Sequence, residues 1–151
     1  MNLKAFLKGI KVGQLLPPES KNNGDFTGNT YFDTLGLAAV LVLISNGAGD
    51  AAVGSTAETT PPLLEECDTS GGSYTAITGA ALAAVISATD DNKVYGIYVD
   101  LTKTHKRYIK VQAPHAGNAT AAILQITALG FPADVLPKSA AEMGLTELIE
   151  A

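Results

Sequence analysis

KVYGIYVDLTKTHKRYIKVQA, residues 93–113, decides the fold class. Tyr95, Ile97, Val99 and Leu101 alternate with Val94, Gly96, Tyr98 and Asp100. Beyond a polar turn at Thr102 to His105, Arg107, Ile109 and Val111 alternate with Tyr108, Lys110 and Gln112. Successive side chains of extended backbone leave on opposite sides, so a period of two marks a strand with one buried face. Two such runs joined by a polar turn predict a β-hairpin at the centre of a mainly β domain.

Working upstream, Leu37 to Ile44 is apolar without interruption, which predicts a strand covered on both faces. Asn46 to Thr60 is rich in Gly, Ala, Ser and Thr and reads as a long loop closed by Pro61-Pro62. Leu63 to Asp68 reads as a short strand, Thr69 to Ser73 as a turn, and Ile77 to Ile86 as either a short helix or a strand. Downstream, Ala119-Thr120 opens a third strand running to Ala128, with Leu124 and Ile126 on one side and Ile123 on the other, and Gly130 and Pro132 end it.

The termini read differently. Leu3, Phe6, Leu7 and Ile10 share one face at helical spacing, with Lys4, Lys8 and Lys11 elsewhere, as in a short amphipathic helix. Pro17-Pro18 is expected to end regular structure, and Glu19 to Asn29 is polar and Gly/Asn-rich. Residues 1–29 are therefore expected to be an N-terminal arm, 30–130 the β-sandwich domain, and 131–151 a tail. In that tail Ser139-Ala140-Ala141-Glu142 has capping-box spacing ahead of a broken terminal helix. There is no internal repeat and no strand–helix–strand rhythm.

Composition bounds the function. A chain of 151 residues has the length of one domain. Ten Lys and Arg against fifteen Asp and Glu give a net charge of −5, so general attraction to nucleic-acid phosphate is not expected. Cys67 is the single cysteine, which excludes an internal disulfide and a cysteine-based metal cluster. The opening run is broken by lysines before it reaches signal-peptide length, so no secretory route is expected there. Leu35 to Ile44 is about half the length a membrane-spanning helix needs, and neither a membrane nor a nucleic acid is expected as partner.

Chemistry-bearing motifs are sparse. Gly47-Ala48-Gly49-Asp50-Ala51-Ala52 has the G-x-G-x-x-A spacing of a dinucleotide loop after an apolar strand, with Asp68 downstream in the place of a ribose-binding carboxylate. Pyrophosphate binding needs a helix starting at the second glycine, and Gly54, several Thr and Pro61-Pro62 leave no room for one, so no cofactor is expected. His105 and His115 are the only imidazoles and both read as solvated loop residues; Asp90-Asp91-Asn92 reads as a polar turn. Glu65-Glu66 and Asp68 flank a short strand without forming an acid–base pair by spacing, and Cys67 between them reads as a small core residue. No metal site, catalytic set or enzymatic activity is expected. The concentrated positive cluster is Lys103, His105, Lys106, Arg107 and Lys110 around Tyr108. It suits an acidic protein surface at least as well as a nucleic acid.

The order of these features resembles the small capsid-associated proteins of tailed bacteriophages. The resemblance spans roughly Phe26 to Ala128. It rests on Asp25 and Asp33 ahead of Thr34-Leu35-Gly36, the apolar strand and Gly-rich loop, Leu63 to Asp68, and Tyr95 to Leu101 joined to Lys106-Arg107-Tyr108-Ile109-Lys110-Val111. It implies a jelly-roll-like antiparallel β-sandwich that decorates the outside of a phage head, often as a homotrimer, with the major capsid protein as partner and synthesis in the host cytoplasm. It carries no catalytic residues. Partner-binding candidates are Leu3, Phe6, Leu7 and Ile10 from the N-terminal stripe and Lys106, Arg107 and Tyr108 from the basic turn. A tail or baseplate component, or a carbohydrate-binding β-sandwich, are the competing readings.

Overall fold

The computed structural model describes residues 9–27, 30–49, 53, 60–115, 121–132 and 147–150. Their elements are strands: β1 (Lys11–Lys21), β2 (Phe26–Thr27), β3 (Phe32–Asp33), β4 (Ala39–Asn46), β5 (Leu63–Cys67), β6 (Thr75–Ala81), β7 (Val94–Asp100), β8 (Tyr108–Ala113), β9 (Ala122–Phe131) and β10 (Glu147–Glu150). One sheet runs β1-β9-β4-β7-β10. The other runs β2-β8-β5-β6, with β3 also paired to β8. All pairs are antiparallel except β10, which lies parallel to β7.

The expected mainly β fold is what these residues form, and the apolar run accounts for its centre. β4 is flanked by β9 and β7. Val40, Val42 and Ile44 face the core between the sheets. Ala39 and Leu41 point the other way, into a smaller cluster with Phe131. A strand buried on both faces must be apolar at every position, which removes the alternation that half-buried strands show.

The hairpin expectation does not hold. Val94–Asp100 pairs with β4 and β10, whereas Tyr108–Ala113 pairs with β5, β2 and β3, so residues 101–107 form a corner crossing from one sheet to the other. Ile97 and Val99 meet Ile109 and Val111 across one shared core. Alternation specifies which face of a strand is buried and leaves its hydrogen-bonding neighbour open. The corner is fastened by the Leu101 amide donating to the Ala38 carbonyl and the Thr34 amide to the Arg107 carbonyl, both 2.9 Å.

The arm expectation fails for the same segment that Pro17-Pro18 was to terminate. β1 spans both prolines as an edge strand on β9, with its register shifting between Gln14 and Leu16 and again between Leu16 and Glu19. Proline donates no backbone hydrogen bond and is tolerated at edges and bulges. The shifts let consecutive Leu15 and Leu16 both be buried. Phe26 is fully buried as well, so the core extends across the boundary drawn at residue 29. Ile77 to Ile86 resolves as β6 followed by a bridge from Ile86 to Val53, and β9 runs through Gly130 to Phe131. Where a terminal helix was expected, Glu147–Glu150 is a strand, with Ile149 against the main core. The expected N-terminal stripe at Leu3, Phe6 and Leu7, and the Ser139 to Glu142 capping box, lie outside the described residues.

Candidate functional site

β3 is two residues long, and its placement organises the polar surface around it. Phe32 faces inward and seats its ring on the first sheet. A Cβ at Gly13 would come within 2.6 Å of that ring, and one at Gly130 within 3.1 Å, so the seat exists because both positions are glycine. With Phe32 anchored, Tyr31 and Asp33 on either side point outward, since neighbours along a strand face opposite ways.

Asp33 grips Arg107, the last residue of the corner before β8, through two hydrogen bonds, Nε to Oδ1 and Nη2 to Oδ2, both 2.8 Å. The Leu35 amide also donates to Asp33 Oδ1, at 3.1 Å, and the Lys11 ammonium donates to the Asp33 carbonyl. The Arg107 guanidinium, helped by the Leu35 amide, holds the Asp33 carboxyl well below the usual carboxylate range, while partial desolvation opposes the shift. The carboxylate in turn raises Arg107 above its ordinary value. A turn follows: Thr34 Oγ1 donates to the Arg107 carbonyl at 2.7 Å, the Leu37 amide to the Thr34 carbonyl at 3.0 Å, and Gly36 takes φ +80°, a conformation that glycine adopts without strain.

Next to this pair, three tyrosines converge from distant parts of the chain. Tyr31 and Tyr108 meet edge to face, with ring centroids 5.0 Å apart and an interplanar angle of 84°. Arg107 lies over the Tyr108 ring at 5.1 Å, and Lys110 over the Tyr74 ring at 4.4 Å. Tyr74 donates to the Ser70 carbonyl at 3.1 Å, and burial pushes its hydroxyl pKa up, with Cys67, Tyr31 and Tyr108 adding to the shift. Cys67 is buried, as the small-residue reading expected, but it lies opposite Tyr108 in register, on the outer face of the sheet and outside both core clusters.

The corner itself is closed by Glu66. Its Oε2 lies 2.9 Å from His105 Nδ1 and accepts from the Lys106 amide at 3.0 Å; the Lys106 ammonium donates to Thr75 Oγ1 at 3.1 Å. Between this corner and the Thr34–Leu37 turn lies a cleft of about 340 Å³, with Asp68 on its wall and Leu35, 69% exposed, at its lip.

Of the expected partner-binding residues, Lys106, Arg107 and Tyr108 fall on this surface. Ile10 does not join them; it packs against the Ala39, Leu41 and Phe131 cluster of the first sheet. Leu3, Phe6 and Leu7 lie outside the described residues. Tyr31, Leu35 and Tyr74 are brought here by the pairing of β3, β5 and β6 around β8, which no local pattern encodes.

The other motifs have structural uses. The Gly47 amide donates to the Ile123 carbonyl at 2.9 Å, and a Cβ at Gly47 or Gly49 would come within 2.9 Å of Ile123 or the Ala121 carbonyl. The two glycines thus let the chain pass close to β9. Asp50, Ala51 and Ala52 lie outside the described residues. Asp90 accepts from the Ser87 amide at 2.9 Å and pairs with Lys93 at 2.6 Å, which lowers its pKa; Asn92 adopts φ 58°, as a polar turn requires. His115, expected in solvent, is fully buried: its Nε2 lies 3.0 Å from the Lys21 carbonyl, its amide donates to Asp25 Oδ1 at 3.1 Å, and its ring packs on Phe26. A histidine at the end of β8 covers the core there, and the surrounding loop supplies its polar partners. Neither imidazole reads as solvated: His105 is also mostly enclosed, with 11% of its side chain exposed. Among the described residues, no group of three or more His, Cys, Asp or Glu is placed to hold a metal ion. No family model matches the chain, and no curated protein or solved structure matches it.

Proposed function

We propose that the protein is a structural virion component: a jelly-roll-like sandwich that attaches to the outer surface of a tailed-phage head and reinforces contacts between capsid subunits. The observation that carries this reading is the convergence of exposed Tyr31 and Leu35 with Arg107 and Tyr108 on a rigid sheet. Tyrosine and arginine are enriched among residues that dominate protein–protein binding, because they bury large area at low conformational cost. His105 and Arg107 of the basic turn are held by Glu66 and Asp33, which fixes the surface around them and suits attachment more than turnover. In this reading the chain is not an enzyme, and its partner is the major capsid protein. A homotrimer would let modest affinities add through several simultaneous attachments.

The test is co-expression with the major shell protein of the same genome, followed by gradient sedimentation of the shells. Co-sedimentation in a fixed ratio, with shells that resist heat better than bare ones, is the expected result. A protein that stays at the top of the gradient, or that travels with tail tubes, overturns the head reading. Light scattering of the free protein should give three times the 15.5 kDa chain mass. The clustering of Tyr31, Tyr74 and Tyr108 favours a carbohydrate module as a second reading, though cations cover the faces of two of the three rings.

A further inference from the structure

We propose that the outer face of the second sheet, centred on Tyr31, Tyr108 and Lys110, docks an acidic protein surface that offers an apolar recess between its carboxylates. The inference rests on the attachment reading above and adds the site and the chemistry of what is attached.

Charge is the first argument. The chain as a whole is acidic, yet Lys103, Lys106, Arg107 and Lys110 come from one short stretch, and Lys11 reaches the same place through the Asp33 carbonyl; together they are half of its ten Lys and Arg. The charge of Arg107 is answered by Asp33. Lys106 and Lys110 are not answered in that way: one ammonium donates to the Thr75 hydroxyl and the other sits on the Tyr74 ring. Among the described residues neither forms an ion pair, although Glu65 lies opposite Lys110 in register. A carboxylate from outside would meet two ammoniums that have neutral partners.

Shape and exposure are the second. Few large apolar side chains are exposed among the described residues, and two of them, Tyr31 at 42% and Leu35 at 69%, flank the Asp33–Arg107 pair. They present apolar knobs beside the cations, and such knobs bind by insertion into a recess on a partner.

The same geometry discriminates against other occupants. Sugars and nucleic-acid bases stack on open aromatic faces. Here Lys110 covers Tyr74, Arg107 covers Tyr108, and Tyr31 meets Tyr108 edge to face. A long polyanion would also feel the net charge of −5 of the whole chain.

Three of the five tyrosines lie at this face and the other two on β7 of the first sheet, so resolved tyrosine ring resonances in NMR spectra probe the site. The full chain is titrated with a short synthetic peptide of glutamates interspersed with leucine, and in parallel with the same peptide carrying lysine for glutamate, a single-stranded DNA oligonucleotide and a neutral oligosaccharide. The acidic peptide is expected to perturb the ring resonances of Tyr31, Tyr74 and Tyr108 and to bind more weakly as salt rises. The variant Lys106→Glu with Lys110→Glu should weaken that binding at least tenfold with an unchanged circular dichroism spectrum, and Lys106→Arg with Lys110→Arg should retain it. No binding of the acidic peptide, tighter binding of any other probe, or self-association through this face overturns the proposal. The shell-sedimentation assay separates the two readings. Shells decorated equally by wild type and the double Glu variant refute the docking face and leave the virion role standing. Acidic-peptide binding without shell decoration does the reverse.

Discussion

Asp33 and Arg107 lie 74 residues apart in sequence and meet through two parallel hydrogen bonds, so the pair ties β3 to the sheet-crossing corner that precedes β8. The carboxyl is held below its ordinary value by that guanidinium. A carboxylate whose folded-state pKa is depressed stabilises the fold above its unfolded pKa, near 3.9 for Asp, and loses that contribution as pH falls through the folded value. Asp33→Asn is therefore expected to lower the Tm by a few degrees at pH 7. The gap to wild type should shrink steadily below about pH 4. Thermal melts across an acid series would show it; a gap independent of pH would mean the pair adds nothing electrostatic.

The seat of Phe32 makes a second prediction. A methyl group at Gly130 would lie 2.3 Å from Leu37 Cδ1 and 3.1 Å from the Phe32 ring, whereas one at Gly71 would meet nothing within 4 Å. Gly130→Ala should destabilise the protein by about 1–3 kcal/mol through overpacking. Gly71→Ala should leave stability within about 0.5 kcal/mol of wild type, as surface changes usually do. Urea denaturation of the two variants, with equal m-values, checks the contrast.

Glu66 gives a third. Its side chain is only 15% exposed and its Oε2 serves both His105 and the Lys106 amide. Glu66→Ala leaves both groups without that acceptor, a loss of about 1–3 kcal/mol if water does not replace it. Amide hydrogen exchange at Lys106 should speed up by at least tenfold while exchange in the middle of β4 changes only as far as global stability does. Equal acceleration everywhere would show that the corner has no local stability of its own.

What the sequence disclosed and what it concealed divide along one physical line. Strand identity was readable from the apolar pattern, as in the alternation of Tyr108–Ala113 and in the unbroken, doubly buried run of β4, because burial of a face is written in the residues themselves. Partnership was not. Val94–Asp100 and Tyr108–Ala113 carry the same alternation whether they pair with each other or line opposite walls of one core, and only the full set of strands decides between those arrangements. The candidate site shares this limit. Lys106-Arg107-Tyr108 stood out as a local cluster, but Asp33, Tyr31 and Tyr74 reach it only through the pairing of β3 and β5 with β8 and of β6 with β5. His115 misled for a related reason: next to Pro114 it has a loop's local sequence, and its burial comes from Phe26 and Lys21, far upstream.

The N-terminal strand supplies the last prediction. A detachable arm could be removed without harm, but Lys11–Lys21 forms the edge of the first sheet, and Leu15 and Leu16 are buried at 1% and 2% exposure. Deleting residues 1–18 would uncover Ile126 on β9, opposite Leu16, and would strip the Phe32 seat of Gly13. Replacing a buried leucine by alanine costs about 2–5 kcal/mol, a large part of the 5–15 kcal/mol that holds an ordinary domain together. Leu16→Ala should therefore lower the urea midpoint clearly, and the truncation should leave a chain that melts without a cooperative transition or aggregates. A second variant, Val12→Ser, alters a side chain on the same strand that is 66% exposed and should fold normally. If the truncated chain instead melts cooperatively at the wild-type temperature, β1 contributes nothing to the core and its segment is a docking arm after all.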